Sequence, residues 1–218
     1  MCQYVREKEL KGRGKPRNVF HNWINDVHIY MRKRHKIRFD CHLIGSGSRN
    51  MVVRKCNEEN YFDLDYQIVL KRIPSGTEPS VLKKEFKAAF DMFKPMDFCD
   101  CKDRSQSLRT KSSCRGYGFD IIITKVDENG EYHILFNKKD SNDANNKDYS
   151  WLERKDMSKY KAIYNIVAKD EKMDGYLRQI YISKRHEYRN QTEPNKKKAY
   201  QILNEALVET LTHFKIKL

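Results

Sequence analysis

The chain has 218 residues, 39% hydrophobic and 34% charged, enough for a sizeable core beneath a wet surface. Its formal net charge of +14 favours polyanionic partners such as nucleotides or nucleic acid. No apolar run reaches the roughly eighteen residues of a membrane-spanning helix, and the basic opening "MCQYVREKELKGRGKPRN" lacks the apolar centre of a secretory signal, so a cytoplasmic protein with no membrane partner is expected.

Positive charge concentrates at the start, where Met1 to Arg38 holds eleven Lys or Arg against Glu7, Glu9 and Asp26, a net +8. Residues 1–18 read as a flexible basic arm, a track for RNA or another polyanion. From Val19 onward, Phe20, Trp23, Ile24, Val27 and Met31 recur at helical spacing. His21, His28 and His35 repeat every seven residues along one flank, two turns apart, too far to share a metal ion. "IRFDCHLI" then reads as a strand entering a "GSGS" turn, and "NMVVRKC" as an extended piece before a polar turn. "YFDLDYQIVL" alternates as a strand does, with Phe62, Leu64, Tyr66, Ile68 and Leu70 on one face and Asp63, Asp65 and Gln67 on the other.

A helix follows, with Thr77 as its cap, Pro79 in the first turn and Val81, Leu82, Phe86, Ala89, Phe90 and Phe93 on its apolar face. Residues 97–116 read as a polar loop or irregular hairpin. There "CDC" at Cys99–Cys101, with Cys114, offers three soft ligands, but not at the CxxC spacing of a zinc knuckle, and reduced thiols are the plainer reading of the chain's six cysteines. "GYGFDIIIT" and "EYHILFN" form a hairpin about "DENG". "KKDSNDANNKD" is the sharpest composition break and reads as a linker. Beyond it the periodicity is helical, and the last helix, opening at Thr192, carries Ala199, Ile202, Leu203, Ala206, Leu207, Leu211 and Phe214 on one face. The organisation expected is a basic arm over 1–18, a core over 19–140 and a helical C-terminal segment over 149–218. The fold class expected is α/β of the α+β type: a small mixed, mostly antiparallel sheet with flanking helices, the C-terminal segment closing over a cleft.

Three carboxylates stand out. Asp63 and Asp65, two apart on a strand, point to one side of the sheet and can share a hard cation such as Mg²⁺ or Mn²⁺. Asp120 lies among Phe119, Ile121, Ile122 and Ile123, where a charge needs a partner or an ion. If the two strands are neighbours, three like charges converge, a poor arrangement when empty and a good one around divalent cations that grip a triphosphate. The glycines of "GSGS" let backbone approach an anion, and Ser46 and Ser48 add hydroxyl donors. Arg49, Lys71, Arg109 and Lys111 are further candidates for triphosphate contacts. Tyr149 and Trp151 are candidates for stacking on a base, whereas Tyr66, opposite the aspartates, belongs to the core.

A Gly-Ser turn, a hydrophobic-Asp-hydrophobic-Asp strand and a later lone Asp in an apolar strand resemble the nucleotidyltransferase superfamily of DNA polymerase β, whose members include oligoadenylate and cyclic dinucleotide synthases. The resemblance covers roughly Val19 to Asn137. It implies the nucleotidyltransferase fold, Asp63, Asp65 and Asp120 as metal ligands and catalytic residues, and Gly45, Ser46, Gly47, Ser48 and Arg49 as the triphosphate-binding turn. Sixteen residues separate Ser46 from Asp63, against fourteen from Ser48, so either Gly-Ser pair can serve. The activity implied moves a nucleoside monophosphate from a nucleoside triphosphate, ATP first among them, to an acceptor hydroxyl with release of pyrophosphate. The acceptor is a nucleotide, RNA, a small molecule or a protein. The competing reading is a non-catalytic nucleic-acid-binding or toxin-antitoxin module that retains the fold.

Overall fold

The computed structural model describes residues 3–54, 61–138, 148–153, 158–188 and 199–216. The chain divides into two compact units, one formed by Val5–Val52 with Asn57–Arg154, the other by Met1–Tyr4, Val53–Cys56 and Lys155–Leu218. The first carries, in order, α1 (Glu7–Leu10), α2 (Pro16–His35), β1 (Arg38–Ile44), the single turn α3 (Gly45–Ser48), β2 (Phe62–Arg72), α4 (Pro79–Phe93), β3 (Lys102–Asp103), β4 (Ser107–Lys111), β5 (Tyr117–Val126), β6 (Tyr132–Asn137) and β7 (Tyr149–Glu153). The second carries α5 (Ser158–Val167), α6 (Glu171–Glu187) and α7 (Ala199–His213).

The strands of the first unit form one seven-stranded sheet in the order β1-β2-β5-β4-β3, with β6 on β5 and β7 on β6. β2 and β5 run parallel, and the other pairings among the described strands are antiparallel, so the sheet is mixed and mostly antiparallel as expected. Strand period sets its two faces. Leu64, Tyr66 and Ile68 on β2 and Phe119, Ile121 and Ile123 on β5 are buried on the face covered by α2 and α4. Phe20 of α2 stacks on Tyr66 with ring centroids 3.6 Å apart and lies 4.9 Å from Phe119. The Trp23 indole N–H donates to the Phe90 carbonyl at 3.1 Å, so its one polar atom is satisfied inside the aromatic core. Tyr66 is therefore a core residue, as its place in the alternation predicts.

Several sequence expectations change. Residues 3–18 are not a free arm: Val5 is 3% and Leu10 0% exposed, and these two apolar anchors hold the basic stretch down. α2 starts three residues earlier than the apolar stripe suggests, with Pro16 supplying a preset φ in its first turn. Thr77 does not cap α4; its hydroxyl donates to the Pro74 carbonyl at 2.7 Å, and Glu78 takes the cap position. The polar 97–116 stretch, by contrast, holds the irregular hairpin expected there, the antiparallel pair β3–β4, joined to the sheet at Arg109↔Asp120. Tyr149–Glu153, expected to open the helical segment, is instead a strand paired with β6. The Tyr149 hydroxyl donates to Asp103, and Lys125 sits 4.8 Å over the Trp151 ring. Lys83 of α4, 1% exposed, faces the same Asp103 at 3.9 Å, so helix, β3 and β7 meet at one half-buried carboxylate. The linker over 139–147 and the helix start at Thr192 lie outside the described residues.

In the second unit Asp170 caps α6 by accepting from the Lys172 and Met173 amides. Met173, Leu177 and Tyr181 on α6 and Ile202, Ala206, Leu207 and Leu211 on α7 are buried where the two helices pack. No helix among the described residues is long and apolar enough to cross a membrane.

Phe20→Ala empties the centre of the aromatic cluster and is expected to cost about 3–5 kcal/mol, read from urea denaturation; a loss below about 1 kcal/mol would show that α2 is not anchored through that ring.

Candidate active site

The site begins with strand register. β2 pairs with β5 so that Asp65 lies opposite Asp120 and Asp63 opposite Gly118. Neighbouring strands lie about 4.8 Å apart and side chains at paired positions share a face. The three aspartates the sequence singled out therefore stand together on the face opposite the aromatic core. β4 pairs on the far side of β5 and sets Arg109 against Asp120 and Lys111 against Gly118.

Each carboxylate has a different environment. The Arg109 Nε donates to both Asp120 oxygens, at 2.8 and 3.0 Å, and its Nη2 donates to Oδ2 as well; Ser107 Oγ adds a longer contact at 3.3 Å. Asp63 accepts from the Tyr61 hydroxyl at 2.7 Å. Asp65 is largely shut from solvent, and burial, reinforced by the Asp120 and Asp63 charges, pushes its carboxyl up to about 7, with Arg109 pulling the other way. Burial and Asp63 likewise raise the Tyr61 phenol, so it remains a donor. Deeper along the same face Gln67 donates to Thr124 Oγ1 at 3.0 Å, whose hydroxyl donates to the Ile68 carbonyl at 2.9 Å, giving the site a satisfied polar floor.

The Gly-Ser stretch is a helical turn rather than an open loop. Gly45 has a positive φ of 62°, and a Cβ there would meet Asp65 Oδ2 at 2.7 Å, so only glycine lets this backbone lie against the carboxylate. Gly47 faces inward, where a Cβ would meet Leu43 at 2.9 Å, and the Ser48 hydroxyl donates to the Gly45 carbonyl at 2.9 Å. The turn thus lays Gly45 against Asp65 and Gly47 against Leu43 and Leu64. Arg49 donates to the Gly45 carbonyl at 2.9 Å, and Arg17, from the first turn of α2, donates to the Gly47 carbonyl at 2.7 Å and to Asn50 at 2.8 Å. Two arginines hold this turn from behind.

Not every candidate joins the site. Lys71 pairs with Asp40 at 3.2 Å, about 20 Å along β2 from Asp65. Cys99 and Cys114 are exposed while Cys101 is buried. Among the described residues no three His, Cys, Asp or Glu side chains are gathered into a set that would hold a metal ion. The aspartates share a face, with Asp63 bonded to Tyr61 and Asp120 to Arg109. Sequence reasoning missed Arg17, Tyr61 and Gly118. Only "YFDLD" and "GYGFD" hinted at the last two, through the small residue two before Asp120 and the tyrosine two before Asp63.

A Cβ at Gly118 would meet Tyr61 Oη at 2.0 Å and the Thr110 carbonyl at 2.5 Å, whereas one at Gly175 in α6 meets nothing within 4 Å. Gly118→Ala is expected to lose about 1–3 kcal/mol and Gly175→Ala to gain about 0.5–1 kcal/mol in urea melts; equal effects would contradict the crowding at Gly118. In EDTA, stability should fall as pH rises from about 4 to 7, because the native state keeps the Asp65 proton, held to about 7, after the unfolded chain has released it. The slope from this group is at most about 1.4 kcal/mol per pH unit. Asp65→Asn should flatten it, and identical pH profiles for the two proteins would overturn the assignment.

No protein-family model and no curated protein matches the sequence. Solved structures match the fold. Escherichia coli DncV in its 3'-deoxy GTP bound form aligns with a TM-score of 0.65 at 10% identity, covering 95% of this chain and 68% of that one. Vibrio cholerae DncV cyclic AMP-GMP synthase, a prokaryotic cGAS homolog, aligns at 0.58 and 10% identity over 80% of this chain and 46% of that one. Its GTP bound form aligns at 0.59 and 11% identity over 94% and 52%. This chain spans about half the length of the Vibrio cholerae chains it matches. What the likeness establishes is architecture: the mixed sheet that carries the three aspartates on β2 and β5 shares the fold of the DncV chains.

Proposed function

We propose that the chain is a metal-dependent nucleotidyltransferase that moves a nucleoside monophosphate from a nucleoside triphosphate to an acceptor hydroxyl, releasing pyrophosphate. The observation that carries the reading is the register of β2 on β5, which sets Asp65 beside Asp120 and Asp63 two residues away, with the Gly45 backbone against Asp65. Structural neighbours solved with bound GTP or 3'-deoxy nucleotides support a triphosphate substrate.

The donor chemistry suits a hard divalent cation: carboxylate oxygens on two adjacent strands, one of them driven toward its neutral form by burial and, after it, by the other two charges. Asp63, Asp65 and Asp120 would hold Mg²⁺ or Mn²⁺. Such ions, when bound, neutralise triphosphate charge and lower the pKa of the acceptor hydroxyl. The chain's own residues do the rest. Gly45 and Ser46 offer an amide and a hydroxyl to the phosphates from the turn beside Asp65, while Arg17 and Arg49 fix that turn through its carbonyls. Asp120 would take the acceptor proton once its oxygens are released by Arg109. Tyr61 orients Asp63. Rate gain then comes from alignment and from fixed charge around the transferring phosphoryl group.

For the acceptor, the neighbours favour a second nucleotide, since Vibrio cholerae DncV is a cyclic AMP-GMP synthase and was also solved with the linear intermediate 5' pppA(3',5')pG. The charge of +14 suits any acceptor or activator that carries phosphate, RNA included.

The test is incubation with Mg²⁺ or Mn²⁺ and each labelled triphosphate, with and without RNA. Wild type should release pyrophosphate and form a labelled product, and Asp65→Asn should lower the rate by about a thousandfold while remaining folded. No product under any condition, with RNA bound equally well by wild type and Asp63→Ala, would replace the enzyme with the non-catalytic binding module.

A further inference from the structure

Arg109 covers both oxygens of Asp120 with a forked set of hydrogen bonds. Those are the lone pairs a cation would take, so guanidinium and cation compete for one carboxylate. Resting on the proposed function, we infer that Arg109 is a latch: in the cation-free chain it serves as the internal counter-ion of the aspartate group, and a cation is complete at the site only when the guanidinium lets Asp120 go.

Four observations carry this. The pairing is built into the fold, since Arg109 and Asp120 are register partners across β4 and β5. The carboxylate is enclosed and the guanidinium is not: their side chains are 12% and 45% exposed, so the arginine can leave into solvent and the aspartate cannot. The guanidinium charge acts on Asp63 and Asp65 as well as Asp120, which makes it the shared counter-ion of all three. And the cover is complete, since the Arg109 Nε alone reaches both Asp120 oxygens, at 2.8 and 3.0 Å. Buried like charges without a counter-ion are costly, so the latch also explains how the sheet tolerates them before any cation arrives.

Released, the fork lies on the aspartate face with its planar donors free for phosphate oxygens, the ligand that guanidinium matches best after a carboxylate. Cation and triphosphate arriving together would each favour the same swing of one side chain, which couples their binding without any movement of the backbone.

The test is Mn²⁺ titration followed by the EPR signal of free ion, without nucleotide, on wild type, Arg109→Gln, Arg109→Lys and Asp65→Asn, each first shown to be folded by a thermal melt. Arg109→Gln should bind Mn²⁺ about tenfold more tightly than wild type, the equivalent of one lost charge-assisted pair. Arg109→Lys, which keeps the charge but not the fork, should fall between them. In EDTA, Arg109→Gln should melt below wild type, and saturating Mn²⁺ should reverse the order. Equal or weaker Mn²⁺ binding by Arg109→Gln, with Asp65→Asn abolishing binding, overturns the latch and leaves the cation site standing. Identical Mn²⁺ binding by wild type and Asp65→Asn overturns both the latch and the proposed function.

Discussion

Two strands that run parallel, side by side, with an aspartate of one opposite an aspartate of the other, impose a condition on everything around them. Like charges at neighbouring strand positions repel, and here one of the carboxylates is also withdrawn from water. A sheet can hold that arrangement only if something else holds the strands together and something compensates the charge. The structure supplies both. On the opposite face, Phe20, Tyr66 and Phe119 form an aromatic cluster whose burial is driven by apolar area rather than by charge. On the aspartate face, Tyr61 and Arg109 each take one carboxylate, while Asp65 is left to meet its environment through its proton.

This division explains the glycines. Where backbone or a neighbouring side chain must reach a carboxylate, there is no room for a Cβ: Gly45 lies against Asp65, and Gly118 leaves space for Tyr61 over Asp63. Where packing is the only demand, as at Gly47 against Leu43 and Leu64, glycine serves closeness of the turn to the sheet. The second glycine-serine pair supports the first, and the arginines from α2 and from the turn itself fix it at its carbonyls.

Much of this could be read before any coordinates. The alternation through Phe62–Leu70 placed Asp63 and Asp65 on one face, because strand period is a local property. Asp120 was legible because a carboxylate among isoleucines is costly unless matched. What stayed hidden was non-local. Nothing in "SLRTK" says that its arginine will pair with Asp120, since that depends on which edge of β5 the segment joins. "YSWLE" is a short strand because β6 offers it an edge, and its aromatics meet Asp103 and Lys125. The basic opening misled in the other direction: its charge suggested a solvated arm, but Val5 and Leu10 outweigh it by burying apolar surface.

The proposed joint binding of a divalent cation and a triphosphate on the aspartate face of β2 and β5 is tested most directly by anomalous diffraction from crystals grown with Mn²⁺ and a non-hydrolysable triphosphate. The arrangement predicts a manganese peak at the Asp63 and Asp65 carboxylates, phosphate oxygens beside Gly45 and Ser46, and the Arg109 guanidinium off Asp120. Manganese bound elsewhere, with Arg109 still on Asp120 and nucleotide absent from the Gly45 turn, would contradict it.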